Sequence, residues 1–163
     1  MFEDLSKSIA LRDSDKGAPN FMIALALCAY TEFWGRLLTG GKGEKDEQFT
    51  KFFVHLGSNY EELINRKGLW HRKGKEIKHH VYGHVRSGLV HSYLVEGNSI
   101  INMGRGTCGL EHDAKSNLWT FNLLTYFEDF KKAVDLYLND LLLNKKGEWS
   151  SLESAMKEKP DLL

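Results

Sequence analysis

The stretch Phe21-Met-Ile-Ala-Leu-Ala-Leu-Cys-Ala-Tyr30-Thr-Glu-Phe-Trp-Gly-Arg-Leu-Leu38 is apolar on nearly every side when wound as a helix. Phe21, Met22, Ile23, Leu25, Leu27, Tyr30, Phe33, Trp34 and Leu37 leave no broad polar face. Such a helix belongs at the centre of a bundle, with other helices around it. Asn20 stands where a cap is expected, and Gly40-Gly41-Lys42-Gly43 ends the helix and opens a polar loop. The uninterrupted apolar run from Phe21 to Tyr30 falls short of the roughly 20 residues that a bilayer crossing needs, so no membrane partner is expected.

Working outward from this stretch, the spacing of apolar residues predicts further helices. Residues 3–14 carry Leu5, Ile9 and Leu11 as apolar positions. Asp46 to Leu56 carries Phe49, Phe52, Phe53 and Leu56 at helical spacing. Ser58 to Ile64 opens on Ser58-x-x-Glu61, which fits a capping box. From Asn122 to about Leu143 the helical period is strong, with Leu123, Phe127, Phe130, Val134, Tyr137, Leu138 and Leu141. A weaker tail helix, Ser151 to Lys157, ends before Pro160. Between about residues 98 and 121 the period changes. Ser99 to Met103, Gly109 to Asp113 and Leu118 to Phe121 read as strands of a small antiparallel hairpin or flap. The expected fold class is therefore mainly α: an up-and-down bundle of four to five helices with a small antiparallel β insert, in a single domain over residues 1–163.

Composition bounds the function. Twenty-two Lys and Arg balance 22 Asp and Glu, so the formal net charge is zero and no global field draws the chain toward nucleic acid. Any such role must rest on a local patch. The two cysteines, Cys28 and Cys108, make no disulfide framework, and Cys28 sits among apolar helix positions. With no secretory leader pattern in Met1-Phe-Glu-Asp-Leu5, a reducing cytoplasm is the expected location.

Chemistry concentrates in Arg86-Ser-Gly-Leu-Val-His91-Ser-Tyr93, within a helical pattern that runs from Lys75 to about Val95. A permanent cation that forks onto phosphate oxygens stands five residues from an imidazole that titrates near neutral pH. On a regular helix Ile77, Val81, Val85 and Leu89 form the core arc. His80, His84 and His91 share one flank, and His79, Tyr82, Arg86 and Tyr93 the other. Arg86 and His91 are then about 140° apart, too far for one straight helix to grip one phosphate. Either the helix bends or ends near Gly88, or two copies pool their side chains. Gly83 and Gly88 cost helix stability unless something packs closely against them, which also favours a two-fold dimer.

Set in Arg-Ser-Gly-Leu-Val-His-Ser-Tyr, the Arg-x4-His-x-Tyr spacing resembles the signature of HEPN domains, small all-helical proteins that include many ribonucleases and toxins. The motif itself covers eight residues. The resemblance implies paired motifs facing each other across a homodimer, and a metal-independent endoribonuclease in which the ribose 2′-OH attacks the adjacent phosphorus. Catalysis would fall to Arg86 and His91, with Ser87, Tyr93 and His84 in supporting or regulatory roles. Ser87 stands where the family often has Asn, Asp or His. In one toxin branch a nucleotidyltransferase antitoxin modifies the motif tyrosine, which makes Tyr93 the corresponding target and such an enzyme an expected partner. A toxin or defence role follows from the same resemblance. The alternative is a non-catalytic HEPN-like dimer that binds nucleotide, RNA or a protein.

Other constellations are weaker. Arg66, Lys67, Arg72, Lys73, Lys75 and Lys78 make the approach to the motif basic, with Glu76 the one acid among them. Trp70 lies among these cations and suits stacking on a base. The same residues also fit a solvated loop. His80 and His84, one turn apart, could share a metal. His91 lies roughly 10 Å further along the axis, so no metal and no cofactor is expected. Gly104-Arg-Gly106-Thr-Cys-Gly109 matches G-x-G-x-x-G, but the residues after it read as strand rather than helix, which suits a turn and not a dinucleotide fold. Cys108 with His112 offers thiol chemistry only if something orients the pair.

Overall fold

The computed structural model describes residues 2–11, 19–65, 71–72, 75–76, 82, 99–116 and 118–143. Among the described residues the chain is mainly helical, with five helices and a small three-stranded sheet. The helices are α1 (Phe2–Ala10), α2 (Asn20–Leu38), α3 (Lys45–Phe53), α4 (Ser58–Asn65) and α5 (Leu123–Leu143), with a 3₁₀ turn at Val54–Leu56. The strands are β1 (His71–Arg72), β2 (Lys75–Glu76), β3 (Ser99–Asn102), β4 (Leu110–Asp113) and β5 (Leu118–Asn122).

The apolar stretch from Phe21 to Leu38 forms α2, and it is central. Ile23, Ala24, Leu27, Cys28, Thr31, Trp34 and Gly35 are all buried. Its 19 residues are long and apolar enough, by length and composition alone, to cross a bilayer, so the short run Phe21 to Tyr30 understates the element. Here it packs against α1, α3 and α5 and touches β3. Asn20 is the first helical residue rather than the cap. Pro19 holds the cap position, and its carbonyl accepts the Ile23 N–H at 3.0 Å. The Asn20 side chain still accepts from an N-terminal donor of the helix, the Phe21 N–H at 2.7 Å.

α2 ends by glycine geometry. Gly40 and Gly41 have φ of 60° and 78°, the left-handed region that glycine enters without a steric cost. The Gly40 N–H bonds the Leu37 carbonyl (3.1 Å) and the Gly41 N–H reaches back to Arg36 (2.8 Å), the two bonds of a Schellman stop. The chain then turns into α3, where Glu47 reaches back to the Glu44 N–H (3.2 Å). Gln48 gathers the carbonyls of Gly41, Lys42 and Gly43 (3.4, 3.2 and 3.1 Å). α2 and α3 approach closely because Gly35 has no side chain: a Cβ there would lie 1.6 Å from the Gln48 carbonyl oxygen.

At α4 the cap is Gly57, not Ser58. The Gly57 carbonyl accepts from Tyr60 and Glu61 (3.0 and 3.3 Å), and Ser58 is already helical. In α5 the expected positions Leu123, Phe127, Phe130 and Val134 are in the core, joined by Tyr126 and Ala133, although Leu138 is exposed. Phe2 of α1 meets Phe127 and Phe130 edge-on at 6.3 and 6.0 Å, which docks the first helix on the last.

Two expectations need correction. The insert is not wholly antiparallel. β5 is the central strand, antiparallel to β4 and parallel to β3, with Phe121 opposite both Leu110 and Ile101. The six-residue run from Gly104 to Gly109 carries the chain away from β3, so β4 cannot fold straight back on it. A tight turn at Asp113, whose carboxylate accepts from the Lys115 and Ser116 N–H groups (3.0 and 3.3 Å), joins β4 to β5 instead. The helical pattern also does not begin at Lys75. Lys75–Glu76 is a strand, paired antiparallel with His71–Arg72, and the two-residue connection with a glycine, Lys73-Gly74, suits a hairpin. The expected tail helix, Ser151 to Lys157, lies outside the described residues.

Candidate functional site

Arg86, Ser87, His91, Tyr93 and His84 lie outside the described residues, as do Arg66, Lys67, Trp70, Lys73 and Lys78. Arg72 and Lys75 are partners across the β1–β2 hairpin, which brings two of the basic positions together at backbone level. One residue of the motif region is described, Tyr82. It is half-buried between α2 and α3. Its hydroxyl donates to Glu32 Oε2 on α2 at 3.3 Å, and its ring meets Phe49 on α3 edge-on at 5.6 Å. The helical wheel puts Tyr82 on the flank of Arg86, away from the arc taken as core. Tyr82 itself touches the bundle.

From Tyr82 a line of aromatic contacts runs through the domain. Phe49 stacks on Phe53 (5.4 Å), and Phe53 meets Tyr60 of α4 edge-on (5.1 Å). Tyr60 meets Tyr126 of α5 (5.8 Å), and Tyr126 meets Phe121 of β5 (4.9 Å). Buried tyrosines require partners for their hydroxyls. That of Tyr126 lies 2.9 Å from Thr31 Oγ1, which also bonds the Leu27 carbonyl (2.8 Å). Consecutive residues of α2, Thr31 and Glu32, thus each hold a tyrosine hydroxyl from another part of the chain.

The turn between β3 and β4 is the other polar centre. The Tyr60 hydroxyl accepts from the Gly109 N–H (3.1 Å) and donates to Asp129 Oδ2 (2.7 Å). Glu111 accepts from the Cys108 N–H and the Thr107 hydroxyl (2.9 and 2.8 Å). Asn122, almost fully buried, bonds the Cys108 carbonyl and accepts from Asn102, both at 2.8 Å. Burial, and secondarily Cys108 and the bond to Asp129, hold the Tyr60 phenol far above its ordinary range. Burial does the same for Tyr126. Burial also raises the Cys108 thiol, opposite to what a reactive cysteine needs. For Glu111, burial pushes upward, but the bonds from Cys108 and Thr107 outweigh it and the carboxyl stays below its usual range. His112 packs its ring on Trp119 at 4.5 Å.

Gly104-x-Gly106-x-x-Gly109 is accordingly a turn whose donors are spent within the protein. After Gly109 comes strand β4, with no helix to receive a pyrophosphate. A Cβ at Gly109 would lie 2.6 Å from the Tyr126 backbone, so this glycine serves close packing. Sequence reading missed Tyr60, Asn122 and Asp129 as the organisers of the turn. The available signal was that Tyr60 and Tyr126 fall at core positions, where a phenol must find a partner. Among the described residues no three His, Cys, Asp or Glu side chains converge as a metal site requires, and His79 and His80 lie outside them.

Set against known proteins, the chain matches no family model, no curated relative and no solved structure.

Proposed function

We propose that the chain is a metal-independent endoribonuclease of HEPN type, acting as a homodimer whose helices form an HEPN-like bundle. The observation that carries the reading is the sequence Arg86-Ser-Gly-Leu-Val-His91-Ser-Tyr93, which begins four residues after the tyrosine that binds α2 and α3. In this reading the ribose 2′-oxygen attacks phosphorus and the bond to the 5′-oxygen breaks. The products are a 2′,3′-cyclic phosphate and a free 5′-hydroxyl. His91 moves a proton as general base or acid, and Arg86 stabilises the charge gathering on the phosphoryl oxygens. The cations at Arg66, Lys67, Arg72, Lys73, Lys75 and Lys78 follow the RNA backbone, and Trp70 stacks on a base.

The test is cleavage of single-stranded RNA. His91→Ala and Arg86→Ala are each expected to lower the rate by about 10²–10⁴-fold while the helical signal is unchanged. Cleavage is expected to survive EDTA, and a 2′-deoxy sugar at the cut is expected to block it. The alternative is a non-catalytic dimer that binds nucleotide, RNA or a protein; the zero formal net charge supplies no general field toward RNA, so RNA binding in either reading rests on the local basic patch. Wild-type protein that binds RNA but never cuts it would establish that alternative.

A further inference from the structure

We propose that Arg72 and Lys75 act as one unit, holding a single phosphodiester of single-stranded RNA at the β1–β2 hairpin. The observation is the register. Arg72 is the cross-strand partner of Lys75, and His71 that of Glu76. Partners share a face of a β-ribbon, and successive residues alternate between its faces. Arg72 and Lys75 therefore belong to one face, His71 and Glu76 to the other. Glu76 is the one acid between Arg66 and Lys78, and the register assigns it to the face without the Arg72–Lys75 pair. A shift of one residue would set Arg72 opposite Glu76, with a three-residue connection that hairpins also use. The chain instead sets two cations opposite each other, which costs stability by itself. An anion shared by both removes that cost. Such partners stand about 5 Å apart at Cα, and a phosphodiester offers them two anionic oxygens. Arg forks onto phosphate oxygens and Lys adds a compact point charge. In a chain of zero formal net charge, the pair supplies locally the field that the molecule as a whole lacks.

The choice of RNA as the polyanion rests on the ribonuclease reading. The test uses full-length protein and a short single-stranded RNA with 2′-O-methyl sugars, which allows binding without 2′-oxygen attack. Arg72→Ala and Lys75→Ala are each expected to weaken binding at least about tenfold, as loss of a charged hydrogen bond implies. The double variant should fall short of the product of the two, because both act on one group. Its slope of log affinity against log salt should be shallower by about 0.7, the value for one phosphate on a single strand, and not by about 1.4, the value for two. Lys75→Glu separates binding from folding. It replaces a like-charge pair by an opposite-charge pair, so hydrogen exchange over residues 71–76 should slow roughly two- to fivefold while RNA affinity drops. A double variant with the wild-type salt slope overturns the proposal, and so do additive losses with a change of about 1.4. Exchange that does not slow in Lys75→Glu overturns the register on which it stands. Wild-type protein that binds poly-glutamate as tightly as the RNA shows a general charge contact and not a phosphodiester site, and also overturns it. If wild-type protein shows the expected binding pattern but cuts no RNA, the ribonuclease reading fails and the phosphate pair stands.

Discussion

At the scale of single residues, Tyr60 connects more of the molecule than any residue that sequence reading singled out. Its hydroxyl serves one donor and one acceptor at once, the Gly109 N–H and the Asp129 carboxylate. Tyr60→Phe keeps the ring contacts and leaves the Gly109 N–H without that acceptor. The expected loss is about 1–3 kcal/mol, read as a lower midpoint in urea with an unchanged slope. The same burial makes an alkaline prediction. An unfolded phenol ionises near 10.0, whereas Tyr60 and Tyr126 stay protonated in the fold. Above that pH the unfolded state holds fewer protons, so stability falls by about 1.4 kcal/mol per pH unit for each tyrosine. Below it the contribution is fully present. Cys108, whose thiol is also raised by burial, adds to the loss in the same direction above its ordinary 9.0. Unfolding midpoints that stay level between pH 9 and 11 would contradict these assignments.

At the scale of elements, the α2–α3 contact is the most demanding. Gly35→Ala would drive a methyl into the Gln48 backbone, and backbone cannot rotate away as a side chain can. A cost of about 4 kcal/mol or more is expected, seen as loss of cooperative unfolding by circular dichroism. Gly41→Ala makes a useful contrast. Nothing lies within 4 Å of its Cβ, yet its φ of +78° is left-handed, so about 1 kcal/mol is expected from backbone strain alone. Equal effects of the two substitutions would show that the helices are not as close as described. The junction of β5 and α5 follows a related logic. Asn122 ends the strand and is buried only because its amide satisfies the Cys108 carbonyl and the Asn102 side chain.

At the scale of the whole molecule, the ribonuclease reading favours two chains over a bend near Gly88 within one. Arg86 and His91 diverge by about 140° on a regular helix, so a composite site is expected to form between copies. Light scattering at micromolar concentration should report a dimer. Mixing His91→Ala with Arg86→Ala, each inactive alone, should recover cleavage once subunits exchange, because a mixed dimer retains one intact pair. Exchange without recovery would locate the site within one chain. Lys73→Ala is expected to weaken RNA binding and flatten its salt dependence without altering the chemical step.

How far the sequence reached depended on the range of the interaction that settles each feature. The central helix, the α3 and α5 patterns, and strands near Ser99, Leu110 and Leu118 were legible because period and turn residues act over a few positions. Local pattern could not give the partner of β5, since a parallel pair and an antiparallel pair present the same alternation of side chains. Nor could it place strand at Lys75–Glu76, where charge-rich residues fit a helix start equally well. The pairings of Tyr60 with Gly109 and Asp129, Thr31 with Tyr126, and Glu32 with Tyr82 join residues 49 to 95 positions apart. Only the tertiary structure decides those, because a buried hydroxyl must be satisfied by whatever polar group the packing brings to it.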